Sequence, residues 1–134
     1  MITQDTKRRF NWQTVLKDTR QTRWVALYAS LNVQGQFRLS RTTHELMGAP
    51  EAYNIFLDPE EMVVGLSPAR LADKNAYEAH TRGKNGGRIL FGRRLINDFH
   101  LYVPQTMVFH RAYIDNMGTL ILDLKDFKST RKRG

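Results

Sequence analysis

The sequence predicts a mainly β fold of the α+β kind: a barrel-like strand-strand-helix-strand-strand unit that is duplicated along the chain and preceded by a short N-terminal helix. Three observations carry this. Val25, Leu27, Ala29, Leu31 and Val33 alternate with smaller or more polar neighbours, and Phe37 and Leu39 resume the alternation after Gly35, as half-buried strands do. The stretch Arg41 to Pro50 has helix punctuation: Thr42 as cap, Glu45 completing a capping box, Gly48 and Pro50 as stop signals. A second strand pair follows, with Tyr53, Ile55 and Leu57 on one face, the turn Asp58-Pro59-Glu60-Glu61, and Met62 to Leu66 returning.

Earlier in the chain, Asn11 is placed to cap a short helix to about Thr19, with Trp12, Val15 and Leu16 on one face. Phe10 and Trp12 read either as anchors for that helix or as rings that stack on a base. After the first unit comes a connector, residues 68–88. Ala69 to Ala72 suggests a turn of helix there, and Ala76 to His80 is ambiguous between strand and helix. A second pass of the same design then begins. Ile89-Leu90-Phe91 predicts a short strand, Gly92 to Phe99 a turn or two of helix, and Leu101 and Val103 an alternating stretch up to Pro104. Met107, Phe109 and Arg111 to Ile114 predict another strand, and Thr119 to Leu124 a last one with Leu120 and Leu122 on one face and a turn at Asp115-Asn116-Met117-Gly118 before it. The organisation expected is a basic arm with a short helix over 1–23, one β-rich domain over 24–124 with pseudo-repeats at 24–68 and 87–124, and a basic tail over 125–134.

Composition narrows the class. With 134 residues, 41% of them hydrophobic, the chain is expected to bury a real core as one compact unit or two small ones sharing it. No apolar run approaches the roughly 20 residues of a membrane span, so no membrane partner is expected. MITQDTKRRF lacks the apolar region of a secretory leader, and the expected compartment is the cytoplasm. The absence of cysteine excludes disulfides, thiolate catalysis and cysteine-bound metals.

The net charge of +8 is unevenly spread. Residues 1–23, 70–99 and 125–134 each carry +4, whereas 24–69 carry −3 and 100–124 carry −1. Basic segments thus flank and interrupt mildly acidic strand-rich stretches, a pattern suited to a polyanion. One of these segments, Thr81-Arg82-Gly83-Lys84-Asn85-Gly86-Gly87-Arg88, joins glycine to charge, so that backbone N–H groups and cations can approach an anion together. It lacks the Gly-Lys-Ser/Thr ending of a phosphate-binding loop, and no strand–helix unit with a downstream acid marks a dinucleotide site. The plain alternative is a hairpin tip.

Catalytic signatures are absent from the sequence. His44, His80, His100 and His110 include no pair at helical zinc spacing, although His100 and His110 could face each other across a strand pair. No nucleophile, base and oxyanion set assembles, so neither an enzyme nor a cofactor is expected. Asp58, Glu60 and Glu61 read as turn chemistry.

Laid over each other, Gly35-Gln36-Phe37-Arg38-Leu39-Ser40-Arg41 and Gly87-Arg88-Ile89-Leu90-Phe91-Gly92-Arg93 match at a period of 52. The text Asn32 to Ser40, followed by Glu45-Leu46-Met47-Gly48, resembles the AbrB-like swapped-hairpin proteins, including the tandem-unit MraZ family. Their pattern is a strand, a Gly-Arg turn, an aliphatic pair ending in Ile-Pro, a short helix ending in Leu-Gly, and two strands. Gln36 departs from the arginine of that pattern and Leu39-Ser40 from its Ile-Pro, while Gly87-Arg88-Ile89-Leu90 is nearer to it. The resemblance implies an interlaced β-barrel, formed by two chains as a homodimer or by two halves of one, that binds duplex DNA through basic hairpin residues.

The expected function is therefore that of a non-enzymatic DNA-binding protein, a transcriptional regulator. Lys7, Arg8 and Arg9 in the arm, Arg82, Lys84 and Arg88 in the loop, Arg93 and Arg94 at the second helix start, and Arg131, Lys132 and Arg133 in the tail would contact phosphates; Arg38 and Arg41 would reach a groove. Two rivals stand beside it. One is an interaction module of a mobile-element or phage system with an acidic protein partner. The other is an RNA or single-strand binder using Phe10, Trp12 and Trp24 as platforms.

Overall fold

The computed structural model describes residues 27–129. The expected arm and helix over 1–23, and the end of the tail with Arg131, Lys132 and Arg133, lie outside them. The fold is mainly β. In chain order the described elements are β1 (Ala29–Leu31), β2 (Gln36–Leu39), α1 (Arg41–Leu46), β3 (Ala52–Asp58), β4 (Val63–Ala69), β5 (Tyr77–Glu78), β6 (His80–Arg82), β7 (Gly87–Phe91), α2 (Arg93–Phe99), β8 (Met107–Val108), β9 (Tyr113–Ile114), β10 (Leu120–Asp123) and β11 (Lys128–Ser129). The strands form two antiparallel sheets, in the orders β11-β8-β1-β2-β7-β6 and β5-β3-β4-β10-β9, and no closed barrel. Among the described residues no helix is long and apolar enough to cross a membrane.

The core lies between the sheets. Leu31, Phe37, Leu39 and Leu90 from the first meet Tyr53, Val64, Leu66, Leu120 and Leu122 from the second. Each such side chain contributes about 1.5–3 kcal/mol when fully buried. Alternation therefore does what the sequence implies: on β2, Phe37 and Leu39 point in while Gln36 and Arg38 take the opposite face. The chain changes sheets between β5 and β6, where the Ala79 N–H donates to the Glu51 carbonyl at 3.0 Å.

Several local expectations are corrected. The cap of α1 is Ser40, not Thr42: its Oγ accepts from the Thr43 N–H at 3.1 Å, and Glu45 makes no capping box but pairs with Arg41. Ser40 is favoured because its neighbour Thr43 is itself buried, where its Oγ1 accepts from the Ser40 hydroxyl at 2.9 Å and from the Tyr28 N–H at 2.8 Å. These bonds tie a six-residue helix, too short to be stable alone, to the chain entering β1. The first strand is only three residues long, and Val33 is exposed in the turn that follows. Asn32 takes over that turn, its Oδ1 accepting from the N–H groups of Gln34 and Gln36. No helical turn follows Ala69; the strand runs that far and a turn held by Asp73 succeeds it. The alternation of Leu101 and Val103 forms no strand, since both pack on the core from irregular chain. His100 ends α2 with a left-handed backbone, and His110 lies near Asp126, so the two do not face each other. Finally, part of the expected tail is structural: Lys128 and Ser129 pair with β8, and Phe127 packs on the core.

Candidate nucleic-acid interface

The β6–β7 hairpin projects the glycine-rich segment, and Thr81 to Asn85 are exposed. Its tip needs backbone conformations open to glycine, with φ of +63° at Gly83 and +81° at Gly86. A side chain at Gly86 would come within 2.9 Å of Arg41 Cδ, so the start of α1 lies directly against the tip. The fold thereby gathers Arg41, Arg82 and Lys84 around one loop, although Arg41 is distant from the others in sequence. Arg41 Nε donates to Glu45 Oε2 at 3.0 Å on the exposed surface, a pair too weakly held to remove the cation from use. Arg82 and Lys84 have no carboxylate partner among the described residues.

Arg88 does different work. It is partly buried, and its guanidinium donates to the carbonyls of Gly86 (2.5 Å) and Gly87 (3.2 Å), bracing the hairpin from within. Its charge also reaches a buried pair behind the hairpin, in which His44 Nδ1 and the Tyr53 hydroxyl share a 2.8 Å hydrogen bond. Burial, and then the Arg88 charge, push His44 below the usual histidine range against the smaller pull of Glu45. Burial raises the Tyr53 hydroxyl well above its ordinary value, with Arg88 opposing. The pair is consequently neutral near pH 7 and serves as a polar joint between α1 and β3.

The remaining candidates scatter. Arg93 and Arg94 lie at the opposite end of the β2–β7 pair, beyond about 10 Å of extended chain from Arg88 to Phe91. There Arg93 Nη1 reaches the Gln34 carbonyl at 3.5 Å and Arg94 pairs with Asp98. Arg38 points away from the core as expected, but it is partly buried. It donates from Nη2 to Gln36 Oε1 at 3.3 Å, and its buried Nε has no partner. Lys7, Arg8, Arg9, Arg131, Lys132 and Arg133 lie outside the described residues. Asp58 does turn work, accepting from the N–H groups of Glu60 and Glu61.

Two features escaped the sequence reading. The His44–Tyr53 joint was signalled only by spacing, since His44 and Met47, three apart, occupy one buried face of α1. A ring pair, His80 against Phe91 at 5.0 Å between centroids and 63° between planes, lies on the outer face of the six-stranded sheet. Its signal was Phe91 following Leu90: alternate residues take opposite faces, so a buried Leu90 sends Phe91 outward. No family model, no curated protein and no solved structure matches this chain.

Proposed function

We propose that this is a non-enzymatic DNA-binding protein, working as a transcriptional regulator, that grips the phosphate backbone of a duplex through the β6–β7 hairpin and the start of α1. The observation that carries this reading is the gathering of Arg41, Arg82 and Lys84 at one glycine tip, two of them without a carboxylate partner among the described residues, on a chain of net charge +8. Such a tip suits phosphate because its cations are exposed and its backbone is open to close approach. The resemblance of residues 32–48 to swapped-hairpin regulators points the same way. Phosphate contacts give affinity and position rather than sequence choice.

Anisotropy of a labelled duplex, titrated at several salt concentrations, tests the reading. The logarithm of affinity should fall steeply with the logarithm of salt, and the double variant Arg82→Ala/Lys84→Ala should lower that slope by about 2. A wild-type slope near zero would remove the proposal.

A further inference from the structure

We infer that the outer face of the β2–β7–β6 corner carries a stacking site for one unpaired nucleobase, with Phe91 as its floor. This rests on the nucleic-acid reading above and adds to it a class of ligand: a duplex that carries a single-stranded extension.

The register places the parts. Gln36 lies opposite Phe91, His80 opposite Ile89, and Arg82 opposite Gly87; Gln36, Phe91, His80 and Arg82 take the sheet face opposite to the buried Phe37 and Leu90, while Ile89 between them is itself buried. Phe91 is 52% exposed as the last residue of β7, an apolar ring displayed on the strand that leads away from the cationic hairpin tip. The edge-to-face contact with His80 holds the ring in place, and the residue stays half exposed. Beside it, Gln36 Oε1 accepts from Asn32 Nδ2 at 2.9 Å and from Arg38, which orients the amide and leaves its NH₂ group as a donor for a base edge. From Gly87 to Phe91 the strand covers about 13 Å. A nucleic-acid strand whose phosphates lie on Arg82 and Lys84 can therefore bring a nearby base onto Phe91. Bases inside a duplex already have both faces stacked, so only an unpaired base can use this ring.

The test compares three labelled ligands at one salt concentration: a blunt duplex, the same duplex with a short thymine extension, and the same extension made of abasic sugar-phosphate. The wild-type chain should hold the thymine extension about tenfold tighter than the abasic one. That ratio should fall to one in Phe91→Ala and persist in Phe91→Tyr, with folding of both variants checked by circular dichroism. A ratio of one in the wild type, or an unchanged ratio in Phe91→Ala, would overturn the inference. The Arg82→Ala/Lys84→Ala variant should weaken all three ligands alike. If it does so while the ratio test fails, the phosphate reading stands and only the base site is lost; if the wild type binds none of the three, both go.

Discussion

The two ends of the β2–β7 strand pair are built from the same parts and behave differently. At each end a glycine turn meets the start of a helix led by arginine: Gly35 against Arg93, and Gly86 against Arg41. At Gly35 the neighbour is backbone. A Cβ there would lie 2.6 Å from Arg93 Cα and 2.9 Å from its N, and the Gly35 carbonyl accepts from the Gly92 N–H at 2.8 Å. At Gly86 the neighbour is the flexible stem of Arg41. One end is a locked joint; the other is an adjustable surface with exposed cations, of which Arg82 and Lys84 have no carboxylate partner among the described residues. The comparison teaches that a shared sequence pattern can serve as rigid packing at one end and as an exposed cationic tip at the other, and that only the neighbour distinguishes them.

The largest expected effect breaks the comparison directly. Gly35→Ala, at φ +85° and against backbone, should cost about 3 kcal/mol or more, whereas Gly86→Ala, at φ +81° but against a movable side chain, should cost about 1 kcal/mol. Urea unfolding midpoints measure both, and equal costs would show that the two ends are alike.

Next in size is the polar joint behind the adjustable end. Tyr53→Phe leaves the buried His44 ring nitrogen unpaired and should cost about 1–2 kcal/mol. The joint also sets a pH window. The folded state holds His44 below 6.5, so the unfolded chain takes up the proton first; stability is full above pH 6.5 and declines as pH falls through the folded value. Tyr53 is raised above 10.0, so the unfolded chain releases its proton first, and stability declines as pH rises past 10.0. An acid decline that persists unchanged in His44→Leu would assign it to other groups. The smallest effect concerns the locked end. Arg94→Ala removes an exposed pair with Asp98 and should change stability by no more than about 0.5 kcal/mol while leaving the salt slope of duplex binding untouched. A slope change equal to that of Lys84→Ala would sharpen the picture by joining both ends into one interface.

Much of the fold was legible. The outward and inward sides of β2 and β10 follow from alternation alone, because a strand's side chains have a period of two and one face must leave water. Turn residues were equally readable: Asp58 and Asp115 each bond N–H groups only a few positions ahead, so the sequence contains both partners. The cap of α1 was misread because Ser40 and Thr42 are both good caps locally, and the choice depends on Thr43 finding the Tyr28 N–H, fifteen residues away. In the same way residues 125–134 read only as a basic tail, yet Lys128 and Ser129 gain backbone partners on β8 that composition does not reveal.

By itself the sequence determined what is local: the mainly β class, the glycine tip and the positions of the cations. Only the tertiary structure decided which cations lie together. It turned Arg88 inward to brace the hairpin, brought Arg41 to the tip across more than forty residues, and left Arg93 and Arg94 at the far end. The physical reason is that charge is a property of a residue, whereas a site is a property of distance. The distances here were set by the burial of Phe37, Leu39 and Leu90, which fixes the register of β2 on β7 and with it everything carried at their ends.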